Sequence, residues 1–184
     1  MDQATLCGEC IADPPPFNRV LAPFRYQQPI NEMIGRFKYQ GALYEGRVLG
    51  DYLAQYITQQ THPSCPIDLL LPIPLHRSRL RQRGFNQAAE LALWLSRKLA
   101  IPWHSGLLHR RSKDPEQRSA KRRERQRNVR RAFSLSTKAA LPKRIALIDD
   151  VVTTGATVRA AAQCLRQAGV DYIEVWAVAR TPKK

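Results

Sequence analysis

The sequence predicts an α/β fold built on an open, mainly parallel sheet, and three observations carry that expectation. Short apolar runs at 68–71, 145–148 and 172–179 have the length and composition of buried strands. Segments with apolar residues at helical spacing stand between them, and Pro, Gly and Asn mark the junctions. Strand alternating with helix implies parallel pairing through right-handed crossovers, which gathers ligands at the carboxyl ends of the strands.

In chain order, Pro14, Pro15 and Pro16 make an extended linker that separates the cysteine pair from the body of the protein, so that residues 1–19 form a short appendage to a single domain over 20–184. Val20, Ala22, Phe24 and Tyr26 alternate as a strand does, and Pro23 confines that strand to an edge. Ile30, Met33, Ile34 and Phe37 predict a first amphipathic helix, and Leu49, Tyr52, Leu53, Tyr56 and Ile57 predict a second after the turn at Gly41. The strand at 68–71 stops at Pro72 and Pro74, and a loop over 73–84 leads to a helix capped by Asn86, with Ala88, Leu91, Ala92, Leu95 and Leu99 on one face. Residues 105–131 are polar and basic and read as a long mobile loop with a charged helical turn. A second buried strand at 145–148 precedes a helix carrying Val158, Ala161, Ala162 and Leu165, closed by Gly169, and the strand at 172–179 follows.

At 184 residues the chain has room for one domain and a short appendage, and 43% hydrophobic content excludes a mostly disordered chain. No stretch approaches the ~18 uninterrupted apolar residues of a membrane span, and residues 1–10 lack the layout of a secretory signal, so a cytoplasmic protein without membrane insertion is expected. Four cysteines, of which only Cys7 and Cys10 are close, form no disulfide framework. The net charge of +15 is concentrated. Arg77, Arg79, Arg81 and Arg83, with the net +8 of residues 110–131, hold twelve of the fifteen excess charges. Such local surfaces suit a polyanion or a phosphate-rich ligand, the competing reading being a solvated charged face.

The stretch Ala146-Leu-Ile-Asp-Asp-Val-Val-Thr-Thr-Gly-Ala-Thr157 carries the chemistry. A buried strand delivers Asp149 and Asp150 to a hydroxyl-rich turn that opens a helix. Backbone N–H groups at a helix start lack partners and face a positive dipole end, so Thr154, Gly155, Ala156 and Thr157 can surround a phosphate, with the Thr153 hydroxyl beside them. Carboxylates repel phosphate but accept hydrogen bonds from sugar hydroxyls, so the combination suits a ribose 5-phosphate. None of the nine glycines is followed by lysine, and no two lie two positions apart. This removes the P-loop and the Gly-x-Gly-x-x-Gly dinucleotide fingerprint.

Residues 145–158, including Val151, resemble the 5-phosphoribosyl-1-pyrophosphate (PRPP) signature of type I phosphoribosyltransferases. Phe37-Lys-Tyr-Gln-Gly41, Pro72-Ile-Pro-Leu-His76, Arg81-Gln-Arg-Gly-Phe-Asn-Gln87, and Gln117 with Arg122, Glu124, Arg125, Asn128 and Ala132-Phe133 are similar to its ComF/GntX branch. Together these cover nearly the whole chain from about residue 20.

The resemblance implies a type I phosphoribosyltransferase-like fold and a role in DNA uptake in natural competence or in DNA utilisation. It implies that Asp149 and Asp150 hold the ribose hydroxyls, residues 153–157 the 5-phosphate, and that magnesium bridges pyrophosphate and ribose oxygens. It places Leu75, His76 and the arginines Arg77, Arg79, Arg81 and Arg83 at the pyrophosphate loop. Residues 105–131 take the place of a lid, where Arg111, Gln117, Arg122, Arg125, Arg127 and Asn128 are the candidates for lid or single-stranded DNA contact. Tyr39, Phe85 and Trp103 are candidates for base stacking, with core packing as the competing reading. Cys7 and Cys10 supply half of a tetrahedral zinc site, as the remnant of a fuller cysteine ribbon. Cys65 fits no ligand spacing, and Cys164 reads as a small core residue. Competence proteins are implied partners, and self-association is left open. No catalytic residue is assigned, and three readings stand: a ligand-binding DNA-uptake protein, an active phosphoribosyltransferase on an unidentified base, and a non-catalytic PRPP-responsive regulator.

Overall fold

The computed structural model describes residues 13–60, 66–111, 132–136 and 141–182. Cys7, Cys10, Cys65 and the lid or DNA candidates Gln117, Arg122, Arg125, Arg127 and Asn128 lie outside the described residues. In chain order the elements are β1 (Arg19–Leu21), β2 (Phe24–Arg25), α1 (Ile30–Gln40), α2 (Leu43–Gln60), β3 (Leu69–Pro72), α3 (Arg77–Arg83), α4 (Gln87–Leu99), β4 (Leu108–Arg110), β5 (Phe133–Leu135), β6 (Arg144–Val152), α5 (Ala156–Gln167) and β7 (Tyr172–Arg180).

Five strands form a parallel sheet in the order β1-β7-β6-β3, with β2 also paired to β7. β1 and β2 are two pieces of one edge, Leu21 opposite Trp176 and Phe24 opposite Ala179. Pro23 breaks the edge between them because it has no N–H to give the ladder.

Alternate residues of the central strands face opposite layers. Leu70, Ala146, Ile148, Trp176 and Val178 pack under α1, α2 and α4 with Ile34, Phe37, Leu49, Leu53, Ile57, Leu91 and Leu95. Leu69, Leu71, Ile145, Leu147, Ile173 and Val175 pack under Val158, Ala161, Ala162 and Leu165 of α5, together with Leu108 and Phe133. Each fully buried Leu or Ile contributes about 1.5–3 kcal/mol, so these two layers hold the sheet. On the first layer, the Phe37 ring lies 5.7 Å from that of Phe85 and 6.0 Å from that of Trp94. A Cβ at Gly46 would come within 2.5 Å of the Phe37 ring, so the close approach of α2 to α1 needs glycine there.

Both α/β crossover ends follow their sequence signals. Asn86 Oδ1 accepts from Ala88 N at 3.1 Å and starts α4. α5 ends with Gly169 N donating to Arg166 O and Val170 N to Leu165 O, the paired bonds of a Schellman motif.

The structure departs from the sequence expectation in five places. The loop at 73–84 contains a helix, α3, whose strong helix formers carry only Leu80 as an apolar signal. The long basic loop begins as β4, which pairs antiparallel with β5. Three-residue strands whose partners lie over twenty residues away leave no local period to read. β6 runs through both aspartates to Val152, so the acids belong to the strand and not to a following loop. Tyr52 is 54% exposed, outside the apolar stripe expected of α2, with its ring edge on Phe24. The proline stretch is strapped to α5: Arg166 donates to Pro16 O and Asn18 Oδ1, and Asn18 N donates to Ile173 O at 2.7 Å. Among the described residues, no helix is long and apolar enough to cross a membrane.

Candidate functional site

β3 pairs with β6 as far as Pro72 opposite Ile148, and Ile73 N still donates to Ile148 O. Beyond that point β6 continues against β7 alone, through Asp149 opposite Ala177 to Val152 opposite Arg180. The helix that follows β3 in the first layer and the helix that follows β6 lie on opposite faces of the sheet. Neighbouring chains therefore part at the carboxyl ends of β3 and β6, the switch point at which open α/β sheets form a crevice. A cavity of about 210 Å³ lies there. Ile73, Leu75, Asn86, Gln87 and Ala88 line one side, Asp149, Asp150, Val151, Thr153 and Thr157 the other, with Tyr26, Lys38, Arg79, Arg83 and Arg110 completing the wall.

With no third strand beside them, the two carboxylates turn to their own backbone. Asp149 Oδ1 accepts from Asp150 N and Asp150 Oδ1 from Val151 N, each at 2.9 Å. Burial, and then the neighbouring Asp150 charge, push the Asp149 carboxyl well above the usual carboxylate range. Asp150 has a resident cation: Lys38 Nζ from α1 stands 2.6 Å from Oδ2, an ion pair without hydrogen-bond angles, both side chains largely buried.

The cations come from three elements. α3 places Arg79 and Arg83 four residues apart on its cavity side, β4 supplies Arg110, and α1 supplies Lys38. Arg83 is held in place: Nη1 donates to Gln87 Oε1 at 3.0 Å, Nη2 to Tyr39 Oη at 3.1 Å, and the guanidinium lies 4.8 Å from the Tyr39 ring centre. Gln87 is buried and donates to Lys38 O at 3.5 Å. Asn86 Nδ2 donates to Ile73 O at 3.1 Å, so one short motif ties α4 to the end of β3 and to α1.

Opposite, α5 opens at Gly155, which takes φ +77°, a left-handed conformation that side chains rarely adopt. The first helical bond runs from Arg159 N to Gly155 O. The amides before it precede the ladder and point out of the helix start, as an anion requires. Thr153 and Thr154 are exposed there, and Thr154 Oγ1 accepts weakly from Ala156 N at 3.4 Å.

Of the residues singled out by sequence, the structure brings Leu75, Arg83, Asp149, Asp150, Val151, Thr153 and Thr157 to one cavity. Thr154, Gly155 and Ala156 adjoin it at the helix start. His76 is set apart as the cap of α3, its Nδ1 accepting from Ser78 N at 3.2 Å. Arg77 is exposed outside the cavity wall, because a helical turn replaces the expected loop and aims Arg79 and Arg83 inward instead. Arg111 follows β4 and is exposed. Phe85 and Trp103 pack in the core layer, while Tyr39 is 68% exposed. Cys164 sits half-buried on α5 against the second core layer.

Sequence reasoning missed Lys38, Gln87 and Arg110 as residues of this cavity, whereas Arg79 belongs to the run of arginines already expected at the pyrophosphate loop. Lys38 and Gln87 lay inside motifs already noticed, but nothing local says that a lysine two turns into an amphipathic helix meets a strand over a hundred residues later.

Four cations facing two carboxylates, one of them driven toward its neutral form, suit a ligand with more negative charge than the acids repel. Among the described residues, no group of three or more His, Cys, Asp or Glu could hold a metal. A magnesium ion that arrived with a phosphate ligand would need few protein ligands, and Asp149 and Asp150 are the carboxylates that line the cavity.

No family model matches the chain. Competence protein F of Haemophilus influenzae is 36% identical over 178 residues, which span 95% of this chain and 78% of that protein. DNA utilization protein YhgH of Escherichia coli (strain K12) is 33% identical over 181 residues, with the same shares covered. Competence protein ComFC of Bacillus subtilis is 31% identical over 148 residues, 79% of this chain and 57% of that one. Among solved structures, the glutamine PRPP amidotransferase of B. subtilis aligns at 21% identity and a TM-score of 0.47, over 71% of this chain and 25% of that one. The adenine phosphoribosyltransferase of Leishmania donovani aligns at 18% identity and a TM-score of 0.45, over 77% and 54%. With a third of its residues shared across almost its whole length, the chain belongs to the family of competence protein F and DNA utilization protein YhgH.

Proposed function

We propose that the protein binds PRPP or a closely related ribose phosphate together with magnesium, and that it serves DNA uptake or utilisation while contacting single-stranded DNA through its basic segments. The observation that carries the ligand reading is the cavity at the ends of β3 and β6. It sets an acid pair between a helix start on one side and Lys38, Arg79 and Arg83 on the other. The 5-phosphate takes the start of α5, where the amides ahead of the helical ladder stand beside the cavity-lining Thr153 and Thr157. The ribose hydroxyls donate to Asp149 and Asp150, and the cationic wall takes the charge at C1. Asp149 and Asp150 are the residues that would reach a magnesium ion bound to the ligand, and the metal would neutralise phosphate charge there.

The DNA reading rests on the family's names for its members and on the charge of residues 110–131. Eight net positives exceed what one sugar phosphate needs, and a flexible polyanion uses such a surplus by releasing counterions.

Calorimetry with PRPP and magnesium tests the first part. Asp150→Asn should weaken binding by about tenfold, the order of one charge-assisted hydrogen bond; unchanged affinity would remove the assigned sugar contact. For the second part, single-stranded DNA affinity should fall steeply with salt. Reversing Arg122, Arg125 and Arg127 should flatten the slope by about 0.7 for every phosphate that is no longer neutralised. A slope unaltered by the triple reversal would remove the basic segment from the DNA interface.

A further inference from the structure

A place in the cationic wall does not explain why Lys38 is paired with one of the acids. Its ammonium sits 2.6 Å from Asp150 Oδ2 within the cavity wall, and Asp150 Oδ1 already accepts from Val151 N. Asp150 in the free protein is thus neutralised by a side chain of the same site, on a stem of four carbons that can swing. The lysine also belongs to the opposite wall. Its carbonyl accepts from Gln87, which in turn receives Arg83, and Arg83 reaches back to Tyr39 beside Lys38. Backbone and neighbours of Lys38 are therefore fixed to the cationic wall, while its ammonium is lent to the acid.

We propose that Lys38 is the specificity-determining residue of the cavity: it guards Asp150 in the free protein and is handed to a phosphate at the sugar's C1 when ligand binds. The inference rests on the reading of the cavity as a ribose-phosphate site. A ligand with a C1 phosphate brings negative charge to the side where Asp150 would repel it, and Lys38 stands between the two and screens that repulsion. The same transfer restores full charge to Asp150, which then accepts more strongly from the ribose hydroxyls. Ribose 5-phosphate offers nothing on that side, so it meets an Asp150 still claimed by Lys38. The cavity consequently selects sugars phosphorylated at both ends.

Calorimetry with PRPP and with ribose 5-phosphate on the parent, Lys38→Met and Lys38→Arg decides the matter. The parent should prefer PRPP by at least about tenfold, the order of one charged interaction. Lys38→Met should lose most of that preference, weakening PRPP about tenfold or more while changing ribose 5-phosphate less than about threefold, and Lys38→Arg should restore part of it. Equal weakening of both ligands, or no change in either, overturns the role of Lys38 alone. A parent that binds neither ligand overturns the sugar-phosphate reading and this inference with it. Should the methionine variant not fold, the Lys38 ammonium signal in nitrogen NMR of the parent serves instead: it should shift with PRPP and stay with ribose 5-phosphate, and an identical response to both overturns the proposal.

Discussion

Glu174 and Trp176, two places apart on β7, are joined inside the core by a 2.6 Å hydrogen bond from the indole Nε1 to Oε2. The other carboxylate oxygen is held by Arg19 through Nε and Nη2, each at 2.9 Å. Both Glu174 and Trp176 are only 1% exposed, so the edge strand β1 is fastened to the sheet by a charge withdrawn from water. Burial first, and then the Glu174 carboxylate, also push the nearby Tyr172 hydroxyl above its ordinary value. This cluster lies at the end of the sheet away from the cavity and concerns stability alone.

Removing that carboxylate strands the indole donor, whereas Arg19, 35% exposed, can turn to water. Glu174→Ala should therefore cost about 1–3 kcal/mol, the penalty of one buried unsatisfied donor. Glu174→Gln keeps an acceptor and should cost less than half as much. Urea denaturation at neutral pH reads both values, and an alanine variant as stable as the parent would mean that the edge is fastened by other bonds.

The acid pair makes a prediction of opposite sign. Because the folded protein holds the Asp149 proton more tightly than the unfolded chain, its stabilising contribution is present below the ordinary carboxylate pKa and is lost as pH rises through the raised folded value. Asp149→Asn removes the charge that burial and Asp150 disfavour. The variant should melt about 2–4 °C above the parent at pH 7, the shift that about 1 kcal/mol gives at this chain length, and the advantage should shrink on acidification. Thermal melts from about pH 3, below the ordinary aspartate value, up to about pH 8 follow it. An asparagine variant less stable throughout would mean that the carboxylate is satisfied as it stands.

Two glycines of the first helical layer separate packing from propensity. Gly46→Ala drives a methyl to within 2.5–2.7 Å of three Phe37 ring atoms, and that ring is flanked by Phe85 and Trp94. Overpacking costs about 1–3 kcal/mol, from which alanine's better helix propensity returns up to about 1 kcal/mol. Gly35, on α1, has nothing within 4 Å of an added Cβ. Gly35→Ala should stabilise by about 0.5–1 kcal/mol. Chemical denaturation of the pair tests the assignment, since equal responses would leave propensity as the sole cause.

The contrast between these positions also explains what the sequence could convey. The apolar runs at 68–71, 145–148 and 172–179 became the sheet because period and burial are local properties, and Asn86 and Gly169 became caps for the same reason. The acid pair and the hydroxyl turn were legible because one short segment contains strand, acids and helix start together. Lys38 and Arg110 were not, since their arrival at the cavity depends on how layers stack between segments far apart in the chain. α3 escaped notice because a helix whose inner face lines a polar cavity carries no hydrophobic stripe.

That hidden helix yields the last prediction. The four arginines at 77, 79, 81 and 83 are equivalent as net charge, yet the helical turn divides them: Arg79 and Arg83 line the cavity while Arg77 and Arg81 are exposed. Arg83 reaches Gln87 and Tyr39 at the same time and lies against the Tyr39 ring, a geometry that needs a planar fork. Lysine presents a point charge and satisfies one of these partners at a time. Arg83→Lys and Arg83→Ala should therefore both weaken PRPP by about tenfold, the order of one charged hydrogen bond, while Arg77→Ala stays within about twofold of the parent. Titration calorimetry at fixed magnesium and fixed ionic strength makes the comparison. Matching losses at Arg77 and Arg83 would show that the ligand feels only the summed charge of the helix, and Arg83 would then have no place of its own in the cavity wall.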